Sequence, residues 1–376
     1  MGIKSINQFL KDKQVQCFVE KYPLSNFSNH RIAIDAANWC YMFIAGEHKD
    51  NVFKTKNIID NDVDRNVTLQ RMYNKFLQFN IMLLQNRIIP VWCWDGIAHE
   101  EKGPEREKRR KARKDREEKA KELKAKIEAV PSWLRNVSNL GMVPMEMKQQ
   151  AIEYKEIENE YKKLVSTQIL ITFEEMDIIR SIAEGLGIPS IQAEHEGEML
   201  CSQLAIKGKV SAVWSSDTDN YAMGTPMMIT GFDGYARGGV PLVKVVSTPH
   251  ILHGLGLTQE QLRELCVMCG CDYNTNIPKV GPKKSYDLIK KYGTIDETIK
   301  QTGLDASCLN YEVCKNYLTP ANIEVDYFNI TVDFEKFKKQ GIDLLHSFSL
   351  EDNYDKLKEG LQKVYVEPDD EIQIEE

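Results

Sequence analysis

The chain has 376 residues, 42% of them hydrophobic, and a formal net charge of −7, which supports one large or two modest packed domains. No apolar run is long enough to cross a bilayer, MGIKSINQFLKDK has no apolar signal core, and Ile6 stands where a myristoylation motif needs Ser or Thr. A soluble, intracellular monomer is expected, and nine cysteines without a framework of short loops fit a reducing compartment.

In chain order, RIAIDA (31–36), IIPVWCWD (88–95), IPSIQA (188–193) and SAVWSSD (211–217) read as short apolar strands. Helical patterns fall between them, at 67–86 and at 173–187, where Gly187 stops a helix before Pro189. That alternation predicts an α/β fold with a mostly parallel central sheet flanked by helices. Between Gly96 and Thr172 the text changes. Residues 105–129 are strongly helical with almost no apolar face, 145–166 are helical again, and Pro131, Gly141 and Pro144 break the stretch between them, so a projecting polar hairpin is expected. From Lys102 to Lys126 there are thirteen basic against six acidic residues, which the overall charge conceals. Residues 257–293 read as two helices flanking a turn with Pro278, Gly281 and Pro282. EKFKKQGIDLL and YDKLKEGLQKV follow as amphipathic helices, and six acids crowd the last ten residues as a disordered tail.

The chemistry lies in seven carboxylates: Asp35, Asp95, Glu196, Glu198, Asp217, Asp219 and Asp272. Three of them, Asp35, Asp95 and Asp217, end apolar strands, on the side of a parallel sheet where ligands bind. Burying acids there is costly unless a cation gathers them. Oxygen ligands on a loose scaffold suit two Mg²⁺, with Mn²⁺ able to substitute, and the usual work of such a pair is hydrolysis of a phosphodiester. Helix caps and solvated loops would account for one or two of these acids. His195 is read as incidental because no second His lies at helical spacing. Cys266, Cys269 and Cys271 are read as buried thiols because no second CxxC or CxxH pair answers them. Asp60, Asp62 and Asp64 have a calcium-loop spacing, but Arg65 and Arg71 occupy its sixth and twelfth positions. GPKKS lacks the preceding glycines of a phosphate loop. The basic run has three readings: a solvated helix, a localisation signal in KRRKARK, or an arch that passes a single strand of nucleic acid.

MGIKSINQFL, IAIDAANWCYMFI, VWCWDG, AEHEGEMLCSQLAIKGKVSAVWSSDTDNYAMG and LTQEQLRELCVMCGCDYNTNIPKVGPKKSYDLI, in this order, resemble the flap endonuclease family of structure-specific 5′ nucleases in the Rad2-like superfamily. The resemblance implies a PIN-like nuclease fold with an N-terminal nuclease region at 1–96, a helical arch at 97–171 and an internal nuclease region at 172–256. A helix–two-turn–helix at 257–300, a C-terminal helical region at 301–366 and the acidic tail at 367–376 complete the layout. It assigns Asp35, Asp95, Glu196 and Glu198 to one metal and Asp217, Asp219 and Asp272 to a second. Lys102 and Arg109, seven and fourteen residues after Asp95, would act on the scissile phosphate. Tyr41 would stack on a base beside the cut, and Gly2 would lie near the substrate junction. Lys279, Gly281, Lys283 and Lys284 would hold duplex backbone, and the carbonyls of Asn276, Ile277 and Val280 a K⁺ ion. The implied activity is Mg²⁺-dependent cutting of branched DNA at 5′ flaps, with 5′→3′ exonuclease activity, in replication, repair or recombination, in the nucleus or another site of DNA replication. A 5′ exonuclease, a Holliday-junction resolvase and a non-catalytic junction-binding scaffold are the alternatives. Two departures stand out. Lys279 replaces the first glycine of the two-turn Gly-x-Gly, and the C-terminus lacks a sliding-clamp peptide.

Overall fold

The computed structural model describes residues 2–97, 103–135, 144–319 and 330–365, so Lys102 and the acidic segment 367–376 lie outside the described residues. The chain divides into two compact units, Met1–Trp39 with Gln78–Gly103 and Ile178–Glu376, and Cys40–Leu77 with Pro104–Asp177. The elements begin α1 (Ile6–Asp12), β1 (Phe18–Pro23), β2 (Arg31–Asp35), α2 (Ala36–Lys54), α3 (Arg65–Gln85) and β3 (Ile89–Trp94). Next come α4 (Gly103–Glu128), α5 (Ser132–Arg135), α6 (Lys148–Val165), α7 (Phe173–Gly185), β4 (Ser190–Gln192), α8 (Gly197–Ile206), β5 (Ala212–Trp214) and α9 (Asp219–Met223). The chain continues through β6 (Met227–Tyr235), β7 (Pro241–Ser247), α10 (Thr248–Leu255), α11 (Gln259–Cys269), α12 (Pro282–Tyr292), α13 (Ile295–Thr302), α14 (Tyr311–Leu318), α15 (Phe334–Ser347) and α16 (Tyr354–Val364).

The first unit is built on a seven-stranded sheet in the order β1-β7-β6-β5-β2-β3-β4. The pairs from β6 to β4 are parallel, while β7 and β1 extend the sheet antiparallel. Ile32, Ala33 and Ile34 of β2, Val91, Trp92 and Cys93 of β3, and Val213 of β5 are fully buried, as continuous apolar runs in a two-sided parallel sheet should be. One face is covered by α8 through Leu200, Cys201 and Leu204 against Ala33, Val91, Cys93 and Val213. The other carries an aromatic layer in which Trp39, Phe79, Trp214 and Phe232 meet at centroid distances of 4.3 to 6.3 Å. Trp39 Nε1 donates to the Trp214 carbonyl at 3.3 Å, and Trp92 Nε1, on β3, donates to Asn80 Oδ1 at 2.9 Å.

β2 has β3 on one side and β5 on the other, so the direction of winding reverses between β2 and β5. A crevice at the carboxyl ends of these strands follows from that reversal. Strands β1, β6 and β7 were not part of the expected sheet. The 335–345 and 354–364 helices do pack back on this unit: Gln78 Nε2 donates to Asn353 Oδ1 at 2.6 Å, and the Asp333 amide donates to the Gly187 carbonyl at 2.9 Å.

The second unit holds α2 from Cys40, α3 to Leu77, all of α5 and α6, α4 from Pro104 and the first turn of α7. The expected hairpin at 97–171 is therefore grouped with residues 40–77, which the sequence assigned to the nuclease region. Arg65 clamps Glu175 with two 2.7 Å bonds, His48 Nε2 lies 3.2 Å from the Val165 carbonyl, and Lys162 donates to the Thr55 carbonyl at 3.0 Å. Lys119 and Glu160 pair at 2.8 Å between α4 and α6. The expectation of an α4 with almost no apolar face needs correction in its second half. Ala120, Leu123 and Ile127 are buried at helical spacing, while Arg106 to Lys111 are exposed. Asp60 takes an ion pair from Arg135 at 2.9 Å, a structural use of one acid in the calcium-like triplet.

Gly187 has φ +70, and a Cβ there would lie 2.0 Å from the Asp333 carbonyl oxygen. Gly187→Ala is expected to destabilise by about 2–4 kcal/mol, from left-handed backbone strain plus a clash with a main-chain atom. Urea unfolding measures this, and a variant within about 0.5 kcal/mol of wild type would refute that packing.

Candidate metal centre

Four local constructions bring the acids together. Asp35 ends β2 and caps α2: its Oδ1 accepts from the Asn38 amide at 3.2 Å, and its Oδ2 accepts from Ser215 Oγ at 3.5 Å. Ser215 Oγ in turn accepts from the Asp217 amide at 3.1 Å, and Asp217 Oδ1 accepts from the Asp219 amide at 3.2 Å. One serine thus ties the end of β2 to the segment after β5. Asp95, just beyond β3, accepts at 2.8 Å from the amide of Gly197, the residue between Glu196 and Glu198. A Cβ at Gly197 would lie 2.5 Å from the Cys93 carbonyl, so only glycine lets α8 start this close to β3.

Among the described residues, one group of three or more possible metal ligands converges. Glu198, Asp217 and Asp219 each offer an oxygen within 4.8 Å of the others, with Asp217 and Asp219 buried. Three like charges this close in a partly buried crevice repel strongly, and a hard cation relieves them. The donor set is all oxygen, which fits a divalent metal of the magnesium or manganese kind better than zinc.

Glu196 accepts from Tyr273 Oη at 2.9 Å. Burial first, and then the charge of Glu196, hold the Tyr273 phenol far above its ordinary range, so it remains a donor. Tyr273 stacks on Tyr317 with centroids 4.7 Å apart, and its chain neighbour Asp272 is outside the converging group of Glu198, Asp217 and Asp219. Burial, followed by Cys93 and then the charges of Asp35 and Glu198, likewise keeps Cys201 protonated beneath the cluster. The N-terminal segment before α1 borders the same place. The Ile3 amide donates to Thr218 Oγ1 at 2.8 Å, and a Cβ on Gly2, at φ +86, would sit 2.1 Å from Asp217 Oδ1.

The remaining candidates are distributed elsewhere. Tyr41 is 43% exposed and, like the exposed Arg109, belongs to the second unit. Lys279, Gly281, Lys283 and Lys284 are exposed on the turn into α12. Lys279 adopts φ +63, a left-handed conformation that a side chain rarely takes. The carbonyls of Ile277 and Val280 accept from the Asn276 side-chain amide, at 3.2 and 3.3 Å. His195 Nδ1 lies 3.1 Å from the Ile97 carbonyl, and Cys266, Cys269 and Cys271 are buried. Sequence reasoning missed Ser215, Thr218 and Tyr273. All three lie within two residues of acids that it did identify, and their neutral side chains gave no signal of their own.

The XPG N-terminal domain model matches residues 1–116 and the XPG I-region model residues 187–272, so each of the seven carboxylates falls inside a matched segment. Flap endonuclease 1 of Lodderomyces elongisporus is 26% identical over 317 residues, 84% of this chain and 73% of that protein. Flap endonuclease 1 of Anoplopoma fimbria is 28% identical over 300 residues, 80% of this chain and 69% of that one. The catalytic core of Rad2 in complex with DNA substrate has a TM-score of 0.57 at 16% identity, covering 97% of this chain and 100% of that one. The flap endonuclease-1 from Methanococcus jannaschii has a TM-score of 0.56 at 19% identity, covering 97% and 98%. The fold is thus the PIN-like fold of 5′ nucleases. The chain belongs to the Rad2-like flap endonuclease family.

Glu198→Gln keeps the shape of the site and removes one of three crowded charges. It is expected to raise stability in EDTA by up to about 1 kcal/mol and to abolish most of the extra stability conferred by millimolar MgCl2. Thermal unfolding in both buffers checks this. A variant destabilised in EDTA with its metal response intact would disprove the crowding.

Proposed function

We propose that the chain is a structure-specific 5′ nuclease that cuts branched DNA, 5′ flaps above all, near the junction of single strand and duplex. The observation that carries this reading is the convergence of Glu198, Asp217 and Asp219 in the crevice where the sheet reverses direction. Membership of the flap endonuclease family supports the substrate class. Cutting at the base of a flap would serve replication, repair or recombination, and 5′→3′ exonuclease activity is expected alongside. Nothing in the acid set favours the scaffold reading, since none of the seven carboxylates has been replaced.

Asp35, Asp95, Glu196, Glu198, Asp217, Asp219 and Asp272 would hold two Mg²⁺ ions, directly or through water. When bound, such ions act as Lewis acids on the phosphate oxygens and lower the barrier to phosphodiester hydrolysis. The protein's own part is to hold the acids in register. Ser215 fixes Asp35 and the start of the Asp217 turn, Gly197 fixes Asp95, and Tyr273 fixes Glu196. Arg109 and Lys102 would neutralise the scissile phosphate, and Tyr41 would stack on the adjacent base. Gly2 would leave room for the junction beside Asp217. Lys279, Lys283 and Lys284, with the backbone at Gly281, would hold duplex phosphates without reading sequence. The exposed amino-terminal half of α4 would track the single strand, in keeping with the arch assigned to 97–171. Potassium is left out of the proposal because the Asn276 amide already occupies two of its expected oxygens.

A labelled 5′-flap duplex should be cut in Mg²⁺ and spared in EDTA. Asp95→Ala and Asp217→Ala should still bind it while losing at least about a hundredfold in cleavage rate. Binding without cutting by the wild type in both Mg²⁺ and Mn²⁺ would favour the scaffold instead. Arg109→Ala should lower the single-turnover rate by about a hundredfold and weaken binding by much less. A change confined to affinity would remove Arg109 from the scissile phosphate.

A further inference from the structure

The turn between α11 and α12 is closed from within. Asn276 folds its side chain back on the loop, and Nδ2 donates to the carbonyls of Ile277 at 3.2 Å and Val280 at 3.3 Å. Both partners are carbonyl oxygens, which only accept, so the amide must present its nitrogen to them and not its oxygen. Ile277 and Val280 are 3% and 1% exposed. Polar backbone atoms of such buried residues need partners, and here the partner comes from the chain itself. The same two carbonyls, with that of Asn276, are the oxygens that the family resemblance assigns to a monovalent cation. The Ile277 carbonyl also accepts from the Val280 amide at 2.9 Å, so both of its lone pairs are taken and an ion would have to displace a donor to reach it. The expected K⁺ site therefore does not fit these residues.

Lys279 sits between the two carbonyl-bearing residues, exposed and at φ +63. It brings to this turn a permanent positive charge where the family has glycine. We propose that Asn276 and Lys279 together replace the monovalent ion. The Asn276 amide organises the carbonyls, and the Lys279 ammonium supplies the charge that would face a duplex phosphate. The second half rests on the duplex-binding reading above, whereas the first half does not.

Thermal unfolding of the full chain in KCl, NaCl and LiCl at equal ionic strength tests the first half. The wild type should melt within about 1 °C in all three, because an ion that binds only the folded state would raise the midpoint by mass action. Asn276→Asp puts oxygen where the nitrogen was, and Asn276→Ala leaves the carbonyls open. Both should melt lower than wild type in LiCl and recover several degrees specifically in KCl. A K⁺-specific rise in the wild type overturns the proposal, as does a folded variant that gains no K⁺ response. If both variants fail to fold, the wild-type salt series decides. For the second half, anisotropy with a labelled 5′-flap duplex should give wild-type affinities within about twofold in KCl and LiCl, and Lys279→Gly should weaken binding by about threefold or more in each. Wild-type binding about tenfold tighter in KCl, or an unchanged Lys279→Gly, overturns that half. Failure to bind DNA in every salt overturns the duplex-binding reading itself, and the unfolding series still judges the amide.

Discussion

Mutual repulsion among Glu198, Asp217 and Asp219 is the constraint around which the first unit is arranged. At separations of no more than 4.8 Å, a fully ionised pair costs at least about 3 kcal/mol at an effective dielectric near 20. Part of that cost is offset before any metal arrives. Asp35 caps α2, Asp95 accepts from the first residue of α8, and Glu198 lies in the first turn of α8. Two helix amino-termini thus present backbone N–H groups to a region dense in negative charge. Capping and metal binding are often rival explanations of an acid, but here the acids at the helix starts are also those proposed to hold metal. An acid that caps a helix is oriented in advance, so less ordering is left for the cation to impose.

Coupling between distant segments follows from the same centre. Ser215 links the ends of β2 and β5, Tyr273 reaches Glu196 from beyond α11, and Ile3 bonds Thr218 from the amino-terminus. Lys4 donates from the same segment to the Gly270 carbonyl at 3.0 Å. Thr218 stands between two acids of the cluster, so the N-terminal segment, the two-turn region and the sheet share one small network. A disturbance in any of them is felt as a change in carboxylate placement, where small shifts matter most.

Much of this was legible because buried parallel strands are written as uninterrupted apolar runs. β2 and β3 match their sequence signals to within a residue, and α3 and α7 lie within two residues of the expected bounds. β6 and β7 escaped because their pairing with each other is antiparallel and partly solvated, and part-exposed positions interrupt their apolar runs. Their turn offered a cue that went unused: Ala236 and Val240 close it with a 2.9 Å bond across two glycines. In α4, the buried Ala120, Leu123 and Ile127 were hidden by charged neighbours that outnumber them. The candidate acids could be singled out because charge at the end of an apolar strand is unfavourable without a purpose. Ser215 and Tyr273 carry no such penalty, and only their contacts identify them.

The two-turn segment illustrates how a departure in sequence becomes a change in physics. Substituting Lys for Gly at a left-handed position costs about 1–2 kcal/mol, a price the loop must recover elsewhere. Two hydrogen bonds from Asn276 to buried carbonyls supply stabilisation of the same order, and they are made by a residue three positions earlier in the same loop. The strain of Lys279 and the inward turn of Asn276 are therefore best understood together. The amide closes a loop whose backbone carries a strained lysine, and the lysine brings charge beside the carbonyls that the amide ties together. Neither residue alone would reproduce both services of a bound cation, which pulls carbonyl oxygens together and leaves net positive charge beside the duplex.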